Sequence, residues 1–210
     1  MEIEKLQIIS MKEKLVYTVL MYSLFFAAYL TANRIIDLKS CHDLSLPLDQ
    51  ALPFIPAFIF PYCFIYLFTM LPTLVVTERW LYLRTVLGCS ILIISSATIF
   101  LLFPVLVPRP PQLPDGFFGW AYNTMFYCDK PVCGFPSLHV GLTTFATLVI
   151  FKVSRRWGVF CMLIAIITVF STLLTKQHVI LDAAGGLFMS FLVYFLVMYT
   201  FVGKKIIPKV

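Results

Sequence analysis

Long apolar runs alternate with short stretches that hold most of the charged residues. The runs come close to the roughly 20 apolar residues that a helix needs to cross a bilayer. The pattern therefore predicts six membrane-spanning helices, at residues 15–31, 53–71, 85–107, 136–151, 157–174 and 182–201. In the second segment, Pro53, Pro56 and Pro61 predict kinks, because proline cannot donate the backbone hydrogen bond of a helical turn.

Composition supports an all-α membrane protein over a water-soluble domain. Hydrophobic residues make up 60% of the 210-residue chain and charged residues only 12%, with a mean hydropathy of +0.94. A soluble surface carries roughly 25–35% charged residues, so the apolar excess must face lipid. We expect one domain, residues 1–210, built as a six-helix transmembrane bundle with tails at 1–14 and 202–210.

The basic residues divide the loops into two sides. Eleven of the sixteen lie in the two tails, the connection between spans two and three, and the connection between spans four and five. The positive-inside rule then places both termini in the cytoplasm and the other three loops on the extracytoplasmic side. The net charge of +6 is spread over short loops and forms no single stripe, so nucleic acid is not an expected partner.

Two extracytoplasmic loops carry nearly all the candidate chemistry. One ends in the run Pro-Ser-Leu-His at 136–139, and the other holds His178 four residues before Asp182. On one helical face, the Asp182 carboxylate can accept the imidazole Nδ1–H and leave Nε2 with a free lone pair. A helix that begins near Pro136 offers unpaired N–H groups from residues 137–139, and such groups bind anions such as phosphate.

Two basic residues lie close to these motifs in sequence. Arg109 follows span three, and Lys176 lies two residues before His178. Both can neutralise phosphate charge, and arginine can do so with a bidentate fork. A single histidine at a span end is usually an interfacial residue. Two histidines, a carboxylate and two cations on one side favour a functional site, because ionisable groups at membrane depth are costly.

The motifs resemble those of the type 2 phosphatidic acid phosphatase (PAP2) superfamily. The family's Pro-Ser-x-His motif matches residues 136–139, and its motif of a histidine followed four residues later by aspartate matches His178 and Asp182. Phe135 to Val140 and Thr175 to His178 are most similar to the branch of inositol phosphorylceramide synthases and sphingomyelin synthases.

Two positions depart from the family pattern. Arg109-Pro110 matches the end of the family's first motif, but Leu102 stands where that motif has lysine. Thr172 follows Ser171 where the third motif often has arginine. Two family cations are therefore absent, and Lys176 and Lys130 are candidates to replace them.

The resemblance implies a lipid phosphatase or headgroup phosphotransferase that acts on a phosphate ester or pyrophosphate of a lipid held in the bilayer. His178 would attack phosphorus to form a phosphohistidine, Asp182 would orient it, and His139 would exchange protons at the extracytoplasmic face. The implied phosphate-binding residues are Arg109, Ser137, Leu138, Lys176 and Lys130. No metal or other cofactor is expected, and assembly into a homo-oligomer is left open.

Three alternatives remain at this point. His139, His178 and Asp182 form a two-histidine, one-carboxylate set that could hold a metal. A transporter or channel is the second alternative, because the second span is kinked. An inactive relative kept for interaction is the third. The sequence also leaves open a disulfide between Cys128 and Cys133.

Overall fold

The computed structural model describes residues 8–200, which are mostly helical. The helices are α1 Met11–Ile35, α2 Pro47–Ala51, α3 Ile59–Phe68, α4 Leu71–Val75, α5 Arg79–Leu102, α6 Phe117–Cys128, α7 Leu138–Val153, α8 Arg155–Leu174 and α9 Ile180–Phe195. Short 3-10 turns precede α2 and α3, and a π-helical turn, Leu196–Thr200, follows α9. Within this range there are isolated β-bridges but no strand. The predicted all-α class is confirmed. Residues 1–7 of the predicted N-terminal tail and the whole predicted C-terminal tail, 202–210, lie outside the described residues.

Five helical stretches in the described range are long and apolar enough to cross a membrane. They are Met11–Ile35, Pro56–Val75, Arg79–Leu102, Arg155–Leu174 and Ile180–Tyr199. The remaining predicted span, 136–151, coincides with α7, an apolar helix of only 16 residues. A multi-pass membrane protein is therefore confirmed, and the count of six spans stays a prediction.

Helix α7 is the centre of the bundle. It packs against α3, α4, α5, α8 and α9. Small and β-branched residues on its buried faces, among them Gly141, Thr143 and Thr147, allow the neighbouring helices to approach closely. The threonine hydroxyls donate to backbone carbonyls, as Thr143 does to His139 at 2.7 Å. Because α7 is enclosed by neighbours, the residues at its start are held in fixed positions.

The second span is broken, but not at the prolines that predicted kinks. Pro61 lies in the first turn of α3, where a missing N–H costs nothing. The break falls between Phe68, the last residue of α3, and Leu71, the first residue of α4. Pro72 explains this position, because its ring would clash with the carbonyl of Phe68 and its nitrogen cannot bond to it.

Two spans begin earlier than the apolar runs alone predict. A capping box starts α1 at Met11: the Glu13 N–H donates to Ser10 Oγ, and the Ser10 N–H donates to the Glu13 carboxylate, each at 3.2 Å. Helix α5 starts at Arg79, so Arg84, expected in a cytoplasmic loop, lies buried within a helix. Its guanidinium donates to the carbonyl of Val197 at 2.7 Å and so caps the end of the last span.

Helix α6 stands where a loop was expected. It begins after Gly116, whose φ of +74° suits glycine, and it is rich in aromatic residues. Phe117 and Trp120 are 57% and 65% exposed. Exposed aromatic rings on a short helix are typical of the membrane–water interface. The helix was missed because its 12 residues are too few to span a bilayer.

Candidate active site

His178 and Asp182 form a buried pair at the start of α9. Asp182 Oδ2 lies 3.2 Å from His178 Nδ1 and accepts the Val179 N–H at 3.0 Å. Asp182 is fully buried, and His178 is 7% exposed. The contact between the two side chains was expected, but from a shared helical face. His178 instead precedes α9, and Asp182 reaches it from the first turn of that helix. Because the carboxylate engages Nδ1, Nε2 is the ring nitrogen left for chemistry.

His139 lies one residue into α7, and its ring faces that of His178. Ser137 caps the helix, with its Oγ accepting the Val140 N–H at 3.4 Å. The ring centroids of His139 and His178 are 5.9 Å apart, and His139 stacks on Tyr62 at 4.2 Å. Within residues 8–200, His139 Nε2 is buried without a hydrogen-bond partner. A substrate group is thus the natural partner for this nitrogen.

The two histidine-bearing motifs are joined by direct backbone contact. The Ser137 N–H donates to the carbonyl of Asp182 at 3.0 Å. Gly186, one turn further along α9, lies so close to α7 that an added Cβ would come within 2.4 Å of the Ser137 carbonyl oxygen. Glycine at this position lets the two helices approach closely enough to bring the imidazoles together.

A cavity of about 270 Å³ opens beside both imidazoles. Its walls are mostly apolar and come from α1, α3, α5, α6 and α7. Leu138, His139, His178 and Asp129 line it, whereas Ser137 and Asp182 lie behind its wall. The first amide groups of α7 have no intrahelical acceptor, so the N-terminal end of that helix can receive an anion from the cavity.

Asp129 was not singled out from the sequence, yet its carboxylate lines the cavity. Tyr29 donates its hydroxyl to both carboxylate oxygens at 2.9 Å, and Asn33 donates to Oδ1 at 2.7 Å. Burial raises the pKa of the Asp129 carboxyl, against the opposing effects of the Tyr29 hydrogen bond and the Arg109 charge. Both donors lie on α1, about a hundred residues away in sequence, so no local pattern marks this contact.

The three predicted phosphate cations do not line the cavity. Each donates instead to backbone carbonyl oxygens: Arg109 to Asp129 at 2.6 Å, Lys130 to Arg34 at 2.9 Å, and Lys176 to Asp49 at 2.7 Å and to Leu52 at 2.6 Å. The Arg109 guanidinium also stacks on the Phe126 ring at 4.2 Å. The phosphate-binding roles of these residues stay predictions. To bind phosphate, each side chain would have to give up its hydrogen bond to a backbone carbonyl.

Two other expectations meet a direct observation. Cys128 and Cys133, left open as a disulfide pair, are both free thiols. Among the residues that the structure describes, no group of three or more His, Cys, Asp or Glu side chains is arranged to hold a metal ion. His139, His178 and Asp182 are adjacent, but they do not form a ligand set of that kind.

The apolar helices and the two imidazoles beside a cavity fit a membrane protein of the phosphatase type. A family profile described as the PAP2 superfamily matches residues 36–196, which include both histidine motifs. The chain therefore belongs to the PAP2 superfamily. Comparisons with curated proteins and with solved structures gave no match. The finer resemblance to inositol phosphorylceramide and sphingomyelin synthases stays a prediction.

Proposed function

We propose that this protein is a lipid phosphatase or phosphotransferase that works through a phosphohistidine on His178. One observation carries the proposal: Asp182 holds His178 Nδ1 at 3.2 Å, and the same imidazole lines a cavity shared with His139. A histidine held at one nitrogen by a buried carboxylate is oriented to act through the other. Membership of the PAP2 superfamily supports phosphoryl chemistry at this site.

In the first half of the reaction, His178 Nε2 attacks the phosphorus of the lipid. A nitrogen–phosphorus bond forms while the bond from phosphorus to the leaving oxygen breaks. His139, which is protonated when the anionic phosphate lies beside it, gives its proton to that oxygen. Asp182 stabilises the positive charge of the phosphorylated imidazole, because its carboxylate stays hydrogen-bonded to Nδ1–H.

In the second half, His139 acts as the base. It takes a proton from water or from a lipid hydroxyl, whose oxygen attacks phosphorus as the bond to His178 breaks. Water as acceptor gives a phosphatase, and a lipid hydroxyl gives a phosphotransferase. The backbone N–H groups of Leu138 and His139, the first residues of α7, stabilise charge on the transferring group.

The walls of the cavity suit a substrate that keeps its acyl chains in the bilayer. Phe26, Leu30 and Tyr66 line the cavity and are also 49%, 43% and 44% exposed at the surface of the bundle. The cavity therefore reaches the surface that faces lipid, between α1 and α3. By the charge count, the histidines lie near the extracytoplasmic headgroups. The proposal does not depend on the oligomeric state, and assembly into a homo-oligomer stays a prediction.

The test uses purified protein in mixed micelles with phosphatidate, a polyprenyl pyrophosphate or a phospholipid, each with and without a lipid alcohol. Released phosphate and new lipid product are followed in parallel. We expect His178→Ala to lower turnover by about 10⁴-fold or more. His42→Ala is the matched control, because His42 is exposed and stacks on Phe103 outside the cavity.

Equal turnover by the wild-type protein and His178→Ala would contradict the proposal. Solute flux through liposomes that His178→Ala leaves unchanged would favour the transporter alternative. Loss of turnover in a chelator, restored by a divalent metal, would favour the metalloenzyme alternative. Phosphate release that is independent of the alcohol would assign a phosphatase, and product formed only with the alcohol would assign a transferase.

A further inference from the structure

The charges around the cavity do not suit a dianionic phosphate. Within residues 8–200, no lysine or arginine lines the cavity, and the acidic residue in its wall is Asp129. A phosphate monoester brings about −1.5 to −2 charges, which the Asp129 carboxylate would repel. A phosphodiester brings only one negative charge, and an ammonium in the same headgroup would balance it.

The Asp129 carboxylate still has acceptor capacity. A carboxylate offers about four lone-pair sites, and the donors on it are the Tyr29 hydroxyl and the Asn33 amide. Both are neutral, and no ion pair within 4.0 Å engages Asp129 in the described range. The nearby Arg109 donates to the main-chain carbonyl of Asp129 at 2.6 Å. Its charge acts on the carboxylate from a distance and does not take up the carboxylate's acceptor sites.

Aromatic rings surround the space next to this carboxylate. The cavity wall includes Tyr29, Tyr62, Tyr66 and Phe100, and the rings of Tyr29 and Phe100 meet edge to face at 6.3 Å. Aromatic faces attract organic cations, and sites for ammonium groups combine such faces with a carboxylate. The same arrangement offers nothing to a second phosphate.

We propose that Asp129 binds the ammonium group of a zwitterionic phospholipid headgroup, so that this protein selects an amine-bearing phosphodiester over a phosphate monoester. The assignment rests on the proposed function, because His178 marks the phosphate end of the cavity. The ammonium lies against Asp129 and the tyrosine rings, and the phosphodiester lies between His178 and the start of α7. Tyr29 and Asn33 are positioning residues, since they orient the carboxylate. With this substrate, His178 Nε2 bonds to phosphorus as the bond from phosphorus to the diacylglycerol oxygen breaks, and His139 gives its proton to that oxygen. The amine-bearing phosphoryl group stays on His178 until the oxygen of water or of a lipid hydroxyl attacks phosphorus and the bond to His178 breaks.

The test compares three lipids in mixed micelles: phosphatidylethanolamine, its N-acetylated derivative and phosphatidate. The acetylated lipid keeps the phosphodiester but lacks the positive charge. We expect the wild-type protein to prefer phosphatidylethanolamine by kcat/KM. Asp129→Asn should lower kcat/KM for that lipid by about 30-fold, the usual loss when one partner of a charge pair is truncated, and should leave the acetylated lipid nearly unchanged.

Two further variants locate the effect. Tyr29→Phe keeps the carboxylate but removes one of its donors, so we expect a selectivity loss of only about fivefold. Asp115→Asn is the matched control: Asp115 is exposed in the same predicted extracytoplasmic region and does not line the cavity. It should leave the ranking of the three lipids as in the wild type.

The outcomes separate this inference from the proposed function. Equal kcat/KM for the amine and acetylated lipids, or an equal loss on all three lipids in Asp129→Asn, would overturn the inference while His178-dependent turnover still supports the chemistry. If no lipid is turned over, the inference is tested by measuring how tightly the same lipids bind to folded His178→Ala protein. Tighter binding of the amine lipid that Asp129→Asn abolishes supports the inference, and equal binding of both overturns it.

Discussion

Two carboxylates near the cavity have different partners. Asp182 is fully buried, and its partners are local: the His178 imidazole and the Val179 N–H within the same turn. Asp129 is held by Tyr29 and Asn33 from a distant helix, and both donors are neutral. A carboxylate hydrogen-bonded to an imidazole orients the protein's own nucleophile and stabilises its positively charged form. A carboxylate matched only to neutral donors keeps its charge available for a ligand.

The largest expected effect is at the Asp182 end. Asp182→Asn should lower turnover by about 10²–10⁴-fold, because an amide can accept the Val179 N–H but cannot stabilise an imidazolium. Steady-state turnover with the preferred lipid measures it. Asp49→Asn is the matched control, since Asp49 also caps the start of α9, accepting the Ile180 N–H at 2.8 Å, without contacting His178. Equal losses in both variants would reduce Asp182 to a helix cap.

The next effect tests the spacing of the two imidazoles. Gly186→Ala places a methyl group against the Ser137 carbonyl, so α7 and α9 must move apart. We expect turnover to fall by about 10²-fold, the typical cost of a displacement near 1 Å at a reacting centre. Ala184→Val, at an exposed position of the same helix, should have little effect. Unchanged activity in Gly186→Ala would mean that His139 and His178 need not be close.

A substitution of Lys176 distinguishes a structural role of this residue from a phosphate-binding role. The φ of Lys176, 56°, is unusual for a side-chain-bearing residue, and its ammonium is bonded to the carbonyls of Asp49 in α2 and of Leu52 just after α2. If these bonds are its function, Lys176→Met should lower the free energy of unfolding by about 1–3 kcal/mol with little change in KM. Thermal unfolding in detergent and steady-state kinetics check both. A raised KM at unchanged stability would assign Lys176 to the phosphate.

The smallest expected effect is at the Asp129 end and depends on pH. Burial raises the pKa of Asp129 in the folded protein above its unfolded value. The stability that the protonated form of this carboxyl contributes is full below the unfolded pKa of about 3.9 and is lost as pH rises through the folded pKa. The melting temperature of Asp129→Asn should therefore rise relative to that of the wild type as pH increases above about 4. A constant difference would contradict the raised pKa.

The Asp182 end could be predicted from sequence, because everything it needs is local. His178 and Asp182 are only four residues apart, and Ser137, the serine of the Pro-Ser-x-His motif, caps α7. The apolar runs likewise gave the positions of the spans. The break at Pro72 and the early start of α1 followed from proline and capping chemistry that hydropathy does not contain. The first two turns of α5 carry two arginines, which hydropathy assigns to a loop.

The Asp129 end could not be predicted in this way. Its contacts join residues about a hundred positions apart, and α6, which leads into it, lies outside the predicted spans. The phosphate-binding cations were predicted from charge alone, but the fold decides which carbonyl oxygen lies within reach of each one. Lys176 thus reaches the carbonyls of Asp49 and Leu52, a partnership that no spacing in the sequence indicates.

The most direct measurement is the capture of the phosphoenzyme. Protein mixed with lipid labelled at phosphorus is quenched within one turnover, digested and analysed for labelled peptides. The account predicts an acid-labile, base-stable label on the peptide that contains His178, and its absence from His178→Ala. A label on another residue, or rapid turnover of the wild-type protein with no labelled peptide at any quench time, would contradict it.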